Sequence, residues 1–510
     1  MMNLALPPGL IALVPLLPLL AALAIVLLHL AGPARGEAGE RLSARLSLAA
    51  TGVALLTLLG LDIQALANGT PGMVKLGNWF SSGELAFPLS FLLDGLGLGY
   101  GTLVAFIALV TLKFSASYMH REAGFHRFFI GMNLFVGGML LIVLAGNAAL
   151  TFVGWEFAGV SSWMLIGYAY DRPTAALNAQ RAFLTNRIGD AGFILGLALA
   201  FIWLGGFGWD TLAEGASTLP TLYSGLIAIG FVVAALAKSA QIPFSPWIAR
   251  ALEGPTPSSA IFYGAVMVHA GVFLIVRLEP LLIEAPGMMA LIALLGAATA
   301  FYGWIAGYVQ SDVKSGLLFA TTTQVGLMFL ACGLGWFELA AWHAALHTIW
   351  RAWQFLASPS YMHLLSAPTP AAPAWLQRHP RLYTAALQRF WLEPLADRLL
   401  TRPTQALARD ARALDENAIS RMVGLPASQR AATLLGDKTV IAGRGLAGRA
   451  LAWVADHLDH FEQRLVLQGG GGKLGAGLHQ LGQIFKQVEN LLEQPRYLLL
   501  LVMATLAVIL

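Results

Sequence analysis

The sequence predicts an all-α polytopic membrane protein that also carries a polar arm. Of its 510 residues, 57% are hydrophobic and only 11% are charged, whereas soluble globular proteins carry roughly 25% charged residues. Apolar stretches of about 20 residues recur along the chain, and a helix of that length crosses a hydrocarbon core of about 30 Å. These two observations exclude an ordinary soluble protein and indicate twelve membrane-spanning helices.

The candidate spans follow one another at short intervals. They cover residues 10–30, 43–61, 91–113, 128–146, 148–170, 183–205, 221–241, 258–277, 286–308, 315–334, 337–358 and 497–510. No A-x-A-like cleavage site separates the first two, so we expect the first to be a retained helix rather than a cleaved signal peptide. The predicted organisation is a transmembrane core over residues 1–362, a cytoplasmic or interfacial arm over 363–495 and a C-terminal transmembrane segment over 496–510.

The arm begins at the proline-rich loop "SAPTPAAPAW", which is too rich in proline to stay helical. Two of its stretches, "RLYTAALQRFWLEPLADRLL" and "ALAWVADHLDHFEQRLVL", place apolar residues at three-to-four spacing with charges between them. This is the pattern of amphipathic helices that lie on a membrane or on a partner protein. The tetraglycine from Gly469 to Gly472 predicts a hinge between the arm and the last span.

The arm also contains a glycine motif. In "VIAGRGLAGRALAW", Gly443, Gly445 and Gly448 satisfy the GxGxxG pattern, which opens a dinucleotide site when it lies in a Rossmann unit. Such a unit needs further parallel strands around it, and neither flank offers a convincing one. A glycine-punctuated amphipathic segment is therefore the favoured interpretation.

Lysine and arginine are distributed unequally between the loops. The loops after odd-numbered spans hold Arg35, Arg41, Lys113, Arg121, Arg127, Arg172, Arg181, Arg250 and Lys314. The loops after even-numbered spans hold little more than Lys75 and Arg277. Because cytoplasmic loops carry the excess of positive charge, we expect the N-terminus outside and the arm in the cytoplasm. Lys314 shares its short loop with Asp312, and we expect these two to form a solvated pair.

Cysteine chemistry is nearly absent from the sequence. Cys332 is the single cysteine, which excludes an intrachain disulfide and any cysteine-cluster metal or iron-sulfur site within the chain. We expect no cofactor in this chain, and any redox centre must belong to a partner.

Ionisable residues inside the spans are the candidate functional residues, because a charge near the bilayer centre costs at least about 2.5–3.5 kcal/mol. They are Glu156 in the fifth span, Arg187 and Asp190 in the sixth, Lys238 in the seventh, His269 in the eighth, and His343, His347 and Arg351 in the eleventh. Together they supply the group types from which a proton relay is assembled.

Each of these residues also has a structural interpretation. Glu156 could form an ion pair with a basic residue of a neighbouring helix, and Lys238 could extend to the membrane interface. His269 could be a satisfied interior histidine. Arg187 with Asp190 is at least as well explained by a pair that fixes a helix as by a conduit.

The stretch "WHAALHTIWRAWQF" places His343, His347 and Arg351 at intervals of four, on one helical face. Histidines at this spacing can bind zinc, but no glutamate follows His343 as HExxH requires and no third ligand is close. A proton-bearing row is favoured, because imidazole exchanges protons near neutral pH. Guanidinium does not release its proton in a protein, so Arg351 can set the local potential but cannot be a relay station.

Several strings resemble one protein family. They are "LLDGLGL", "RFFIGMNLFVGGMLLIVLAGN", "GWEFAGVSSWMLIGY", "TNRIGD", "KSAQIPFSPWIARALEGPTPSSA" and "SDVKSGLLFATTTQVGLMFL". The chain is similar, over about residues 90–360, to the antiporter-like, proton-conducting subunits of respiratory complex I, above all its L subunit, and to Mrp antiporter subunits. The resemblance implies inverted five-helix repeats, broken helices and a polar axis near mid-membrane.

The resemblance also assigns roles to some residues and leaves departures at others. Glu156 of "GWE" matches the family's key glutamate, and Lys238 of "KSAQ" matches its paired lysine. Where the family has "IHAATMV" this chain has "FYGAVMV", so Tyr263 replaces a histidine, and His269 takes a position that is often Thr or Lys. The terminal lysine of the family's "HxxxK" is Arg351, which puts the exit route of complex I in doubt here.

The chain resembles one branch of the family, DabB, in three features. These are Arg351, the arm that directly follows the eleventh span, and the length of 510 residues. DabB proteins are membrane subunits of energy-coupled inorganic carbon accumulation in the bacterial inner membrane, and their partner DabA is a cytoplasmic zinc protein similar to a β-carbonic anhydrase. The resemblance implies a subunit without catalytic chemistry of its own that conducts protons or sodium, with zinc in the partner. Two alternatives remain: a subunit of a complex I-like NADH-quinone oxidoreductase or Mrp-type antiporter, and a non-conducting scaffold.

Overall fold

The computed structural model describes residues 7–32, 36–82, 85–358 and 371–414, and these are mostly helical. Among them, nine helices are long and apolar enough to cross a membrane. The eighth predicted span is missing from the nine because it is broken, and the eleventh because its polar residues lower its hydropathy. The predicted last span, the second amphipathic stretch, the GxGxxG motif and the tetraglycine lie outside the described residues.

A β-hairpin separates the second and third spanning helices. Helices α1 (Leu13–Ala31) and α2 (Gly36–Asn68) precede it, and the antiparallel strands β1 (Gly72–Ser82) and β2 (Leu85–Leu93) form it. Helix α3 (Gly95–Tyr118) follows. The hairpin was not predicted, and the third span was expected to begin at residue 91, because the apolar end of β2 is separated from the apolar helix only by Asp94, which caps α3.

The next helices build the centre of the bundle. They are α4 (Phe125–Leu144), α5 (Ala148–Ile166), α6 (Pro173–Leu204), the short α7 (Trp209–Ala216) and α8 (Thr221–Lys238). Helix α4 is the most enclosed span, with 94% of its apolar window buried. A helix that is hydrophobic on every side is typically a buried one, and α4 carries its only charge, Arg127, in its first turn.

The hairpin holds the first turn of α5. Asn147 precedes the helix, and its side-chain oxygen accepts a hydrogen bond from the Leu150 amide at 2.8 Å. Its amide nitrogen donates to the Pro88 carbonyl at 2.8 Å and to the Ser90 hydroxyl at 2.9 Å, both on β2. The Trp209 indole at the start of α7 donates to the Ala145 carbonyl at 2.8 Å. The start of α5 is thus fixed from two sides.

The seventh and eighth spans are broken, as the family resemblance implies. After α8 the chain leaves the helix and resumes as α9 (Pro246–Arg250), followed by α10 (Thr256–Ser259), a π-helical segment (Ala260–Ala265) and α11 (His269–Arg277). Prolines at 243, 246, 255 and 257 lie between the end of α8 and the first turn of α10. Because proline has no amide hydrogen and clashes with the preceding turn, α8 cannot continue there as one regular helix. The break before α11 contains no proline and lies at Val266, which has φ −142°.

Three long helices complete the described core. After the short α12 (Glu279–Ile283) come α13 (Pro286–Gly307), α14 (Val313–Gly333) and α15 (Phe337–Ala357). Helices α13 and α14 approach closely: a Cβ atom added at Gly303 would lie 2.6 Å from the Thr323 amide nitrogen. The arrangement of the helices as inverted five-helix repeats stays a prediction.

The arm through Ala396 packs on the core and differs from the single amphipathic helix that we predicted. It comprises α16 (Ala374–Gln377), α17 (Pro380–Leu387) and α18 (Leu392–Ala396), while α19 (Arg402–Leu414) belongs to a second unit. Between α17 and α18, Phe390 has φ +54° and its two neighbours are also left-handed. This turn brings the Phe390 ring to 6.2 Å from Phe301 and 6.0 Å from Tyr302 on α13. One compact unit extends through Ala396, and a second begins at Asp397.

Charged residues from the odd-numbered loops meet in ion pairs. Arg121 pairs with Glu37 at 2.8 Å, and Arg172 pairs with Glu253 at 2.7 Å. Arg277, which the loop count treated as a loop charge, instead pairs with Asp94 and is 8% exposed in its side chain.

Candidate functional site

A cluster of four charged residues, three of them buried, lies between α5, α6 and α8. Arg187 on α6 forms an ion pair with Glu156 on α5 and a second with Asp190, 2.9 Å away and three residues further along α6. Residues three apart share a helical face, so one guanidinium can reach both carboxylates. Glu156, Asp190 and Lys238 are 7%, 3% and 1% exposed, whereas the Arg187 side chain is 27% exposed and is the partly accessible member.

Lys238 is the last residue of α8 and does not form the expected ion pair with Glu156 in the described part of the chain. Its ammonium donates to the Trp155 carbonyl at 3.2 Å and lies 4.8 Å from the centre of the Trp155 ring. The end of α8 adds the negative end of a helix dipole. A lysine that is almost wholly buried does not extend to the interface, so that alternative is wrong. Arg187 takes the place beside Glu156 because α6 packs more closely on α5 than α8 does.

Buried polar atoms without a hydrogen-bond partner surround this cluster in the described residues. They include Glu156 Oε1, Trp155 Nε1, Asn186 Oδ1 and Ser245 Oγ. Buried polar atoms are normally satisfied by protein or by ordered water. The cluster therefore offers hydration positions beside an ionisable carboxylate.

A second cluster consists of histidines on α11 and α15. His269 Nε2 and His347 Nδ1 are 2.9 Å apart, and the Arg351 Nε donates to His347 Nε2 at 3.4 Å. His343 Nε2 lies 2.8 Å from Gln324 Oε1 on α14, and its ring centre is 6.2 Å from that of His347. The predicted row on one face of α15 is thus present, and it faces His269. In the described residues, no group of three or more His, Cys, Asp or Glu side chains is placed to hold a metal ion.

The two clusters are adjacent through their chain neighbours. Ser239, which follows Lys238, donates from its hydroxyl to the carbonyl of Val268, which precedes His269, at 2.6 Å. This contact requires a close approach of α8 and α11, because a Cβ atom added at Gly271 would lie 2.2 Å from the Ser239 hydroxyl. The breaks in the seventh and eighth spans therefore bring the lysine and the histidine pair together.

Tyr263, the family's histidine position, is separate from the histidines. Its hydroxyl donates to the Ile248 carbonyl on α9 at 3.1 Å, and its ring lies 5.6 Å from that of Phe355. It therefore connects the two broken spans and supports them mechanically.

Replacing Tyr263 by phenylalanine is expected to lower the free energy of unfolding by about 1 kcal/mol, the cost of one lost neutral hydrogen bond. Ion flux in proteoliposomes is expected to stay near that of the unmodified protein, because the hydroxyl donates to a backbone carbonyl rather than to an ionisable side chain. His269→Asn, measured beside it, is expected to lose flux. A large loss of flux in Tyr263→Phe with unchanged stability would contradict the mechanical role.

Two groups that contact the site were not predicted from the sequence, and one predicted ion pair is wrong. Gln324 and the Trp155 carbonyl both contact predicted site residues; a glutamine inside an apolar span was the only available signal. The solvated Asp312 and Lys314 pair is wrong. Asp312 accepts from the Ser315 amide at 2.8 Å and so caps α14, while Lys314 donates to the Thr256 hydroxyl at 2.6 Å.

Comparison with known proteins decides the family. Residues 145–367 match the domain described as "NADH:quinone oxidoreductase/Mrp antiporter, TM". Residues 79–129 match "NADH-Ubiquinone oxidoreductase (complex I), chain 5 N-terminus", and the two matches together span more than half of the chain. The chain carries the transmembrane domain of the antiporter-like subunits of NADH:quinone oxidoreductases and Mrp antiporters. Both charged clusters lie within the first of these matches, on this family's transmembrane domain.

Relatives in this family extend well beyond the matched region. Subunit 5 of the chloroplast NAD(P)H-quinone oxidoreductase from Anthoceros angustus is 37% identical over 293 residues, which are 56% of this chain and 40% of the relative. The same subunit from Gossypium barbadense is 37% identical over 324 residues, 62% of this chain and 43% of the relative. The chain thus spans about two fifths of the length of these curated relatives.

Solved structures show the same fold. The Mrp complex from Dietzia sp. DQ12-45-1b matches 98% of this chain and 62% of its own with a TM-score of 0.59 and 22% identity. The archaeal membrane-bound sulfane sulfur reductase matches 68% of this chain and 70% of its own with a TM-score of 0.59 and 19% identity. Both matched chains are parts of multi-subunit membrane complexes, and the antiporter-like fold is shared.

Proposed function

We propose that the chain is an ion-translocating subunit of a hetero-oligomeric membrane complex, with the proton as the favoured ion. The observation that carries this proposal is the adjacency of two buried ionisable clusters inside an apolar bundle. Glu156 and Lys238 lie in one cluster and His269 and His347 in the other, and the Ser239 to Val268 hydrogen bond joins them. Buried charges in a membrane are costly and mark ion pathways.

The chemistry of the side chains favours protons. Glutamate, lysine and histidine each exchange a proton, whereas sodium needs several oxygen ligands, and the best oxygen-rich position, Glu156 with Asp190, is already shared with a guanidinium. In the ionised cluster, two carboxylates balance Arg187 and Lys238. Moving one proton changes that balance, and in a low dielectric the change strongly affects the neighbouring groups.

Each site residue has a proposed role. Glu156 and Lys238 hold and pass protons at the start of the path, and His269, His347 and His343 continue it. Arg187, Asp190 and Arg351 set the local field, and Tyr263 supports the broken helices. The ion pair with Arg187 gives Glu156 a structural role as well, and a paired carboxylate remains able to take a proton when its partner moves.

Two kinds of complex fit an ion-translocating subunit. The names of the relatives favour a complex I-like oxidoreductase or an Mrp-type antiporter. Arg351 in place of a titratable lysine favours a gradient-driven system instead. In that version of the proposal a DabA-like zinc partner uses the gradient for CO2 or bicarbonate accumulation at the cytoplasmic side of the bacterial inner membrane.

Affinity purification of the tagged protein in mild detergent, with mass spectrometry and zinc analysis, separates these versions. We expect a defined set of partners. One large zinc-bearing partner supports the carbon-accumulating version, and flavin and iron-sulfur subunits support the oxidoreductase.

Reconstitution of the purified complex tests translocation itself. In proteoliposomes with an imposed proton gradient, we expect the enclosed pH-sensitive dye to report flux. Flux only under a sodium gradient would assign sodium as the ion. A complex that conducts neither ion under any imposed gradient would contradict the proposal and support the scaffold.

A further inference from the structure

Arg351 determines which nitrogen of His347 can carry a proton. The Arg351 Nε donates to His347 Nε2 at 3.4 Å, and both side chains are buried. A guanidinium has five donors and no acceptor, and it stays protonated in proteins. His347 Nε2 must therefore present its lone pair to Arg351, so this nitrogen is an acceptor.

The position of the proton on the other nitrogen follows. A neutral imidazole has one donor and one acceptor nitrogen, so His347 carries its proton on Nδ1. That nitrogen is 2.9 Å from His269 Nε2, which then accepts the hydrogen bond. The bond between the two histidines thus has a fixed direction, from His347 to His269.

We propose that Arg351 is a positioning residue that locks His347 in the Nδ1–H tautomer and withholds its Nε2 from incoming protons. This inference rests on the proposed ion-translocating function. With Nδ1 protonated and Nε2 accepting from Arg351, His347 can neither take a proton from His269 nor carry one on Nε2 towards His343. The path is therefore closed at His347 while Arg351 stays in place.

The position of Arg351 therefore decides whether the path is open at His347. A lysine at this position could release its own proton and join the relay, whereas an arginine can only open or close the path. The ionisable or polar groups that face this point are His343, His269 and Gln324.

The test is the tautomer of His347, measured by nitrogen-15 NMR of the histidine-labelled complex in lipid nanodiscs. A His347→Gln sample identifies the His347 signals by difference. In the unmodified protein we expect Nδ1 protonated and Nε2 unprotonated. Arg351→Met removes the donor, and we expect a second, Nε2–H signal of His347 together with faster proton flux at a given gradient.

Two further variants keep the result decisive. Arg351→Lys retains a donor for Nε2 and preserves the buried charge, so we expect the Nδ1–H tautomer to remain. Arg121→Met, at an exposed loop arginine paired with Glu37, is the matched control and is expected to leave the His347 signals unchanged.

The outcomes distinguish this inference from the function on which it rests. An unchanged His347 tautomer in Arg351→Met, or loss of the Nδ1–H tautomer in Arg351→Lys, would overturn the lock. Absence of flux in the unmodified complex would overturn the proposed function, while the tautomer measurement would still report on the lock. If Arg351→Met does not fold, Arg351→Gln replaces it, because a neutral amide can also accept a hydrogen bond and so permits the Nε2–H tautomer; an unchanged tautomer in that variant would equally overturn the lock.

Discussion

Replacing Lys238 by alanine is expected to reduce ion flux by about a hundredfold or more, the loss typical of removing a positioned proton-transfer group. Lys238 is buried, its ammonium donates to the Trp155 carbonyl beside Glu156, and its chain neighbour Ser239 donates to the carbonyl of Val268. No other lysine among the described residues lies in this cluster. The measurement is proton flux in proteoliposomes that contain the intact complex.

Two matched variants separate charge from proton exchange. Lys238→Arg keeps the positive charge but cannot release its proton, so we expect it to be inactive as well. Lys75→Ala, at an exposed residue on β1, is expected to conduct normally. Retained flux in Lys238→Ala would remove Lys238 from the path. In cells that depend on carbon uptake, unchanged growth in air of the same variant would count against the carbon-accumulating version.

Arg187→Ala is expected to lower the free energy of unfolding by about 3–5 kcal/mol, the cost of breaking a buried ion pair from one side. The reason is that Arg187 serves both Glu156 and Asp190, which are each less than 10% exposed. The measurement is thermal or denaturant unfolding of the purified protein in detergent. Neutralising the partner in the double variant Arg187→Gln with Glu156→Gln is expected to recover part of the loss.

The same helix provides the control for this prediction. Arg181 lies on α6 as well, and its side chain is about as exposed as that of Arg187, 32% against 27%, but its partner Glu393 is 41% exposed and the contact is long, at 3.7 Å. Exposed ion pairs contribute about 0–1 kcal/mol, so Arg181→Ala should change stability little. Equal destabilisation by the two variants would show that the ion pairs of Arg187 with buried carboxylates contribute no more to stability than the exposed pair of Arg181.

The sequence predicts the long helices well because each one is an uninterrupted apolar stretch. It fails where an apolar stretch changes conformation, as at the end of β2, and where tertiary packing overrides helical spacing, as at Phe390. The sequence also did not predict which basic residue pairs with Glu156. Arg187 is 31 residues away in the chain, and amino-acid spacing does not show which helices become neighbours.

The histidine row illustrates the opposite case. His343, His347 and Arg351 share a face because of spacing alone, and the structure confirms this. The neighbour that gives the row its chemistry, His269, lies 78 residues from His347. Motif resemblance identified the candidate residues. Only the fold shows which of them lie within hydrogen-bonding distance of each other, and a proton path requires such contacts.

The hairpin that holds Asn147 gives the glutamate of the site a different backbone setting from the lysine and the histidine. The first turn of α5 is anchored to β2 and, through Ala145, to α7. Glu156 lies nine residues beyond that anchor on an unbroken helix, so its backbone is held from one end. Lys238 and His269 lie beside the breaks of their spans, where the regular helical hydrogen bonds are interrupted. The carboxylate of the site is therefore carried by a continuous helix, and its lysine and histidine by helix ends.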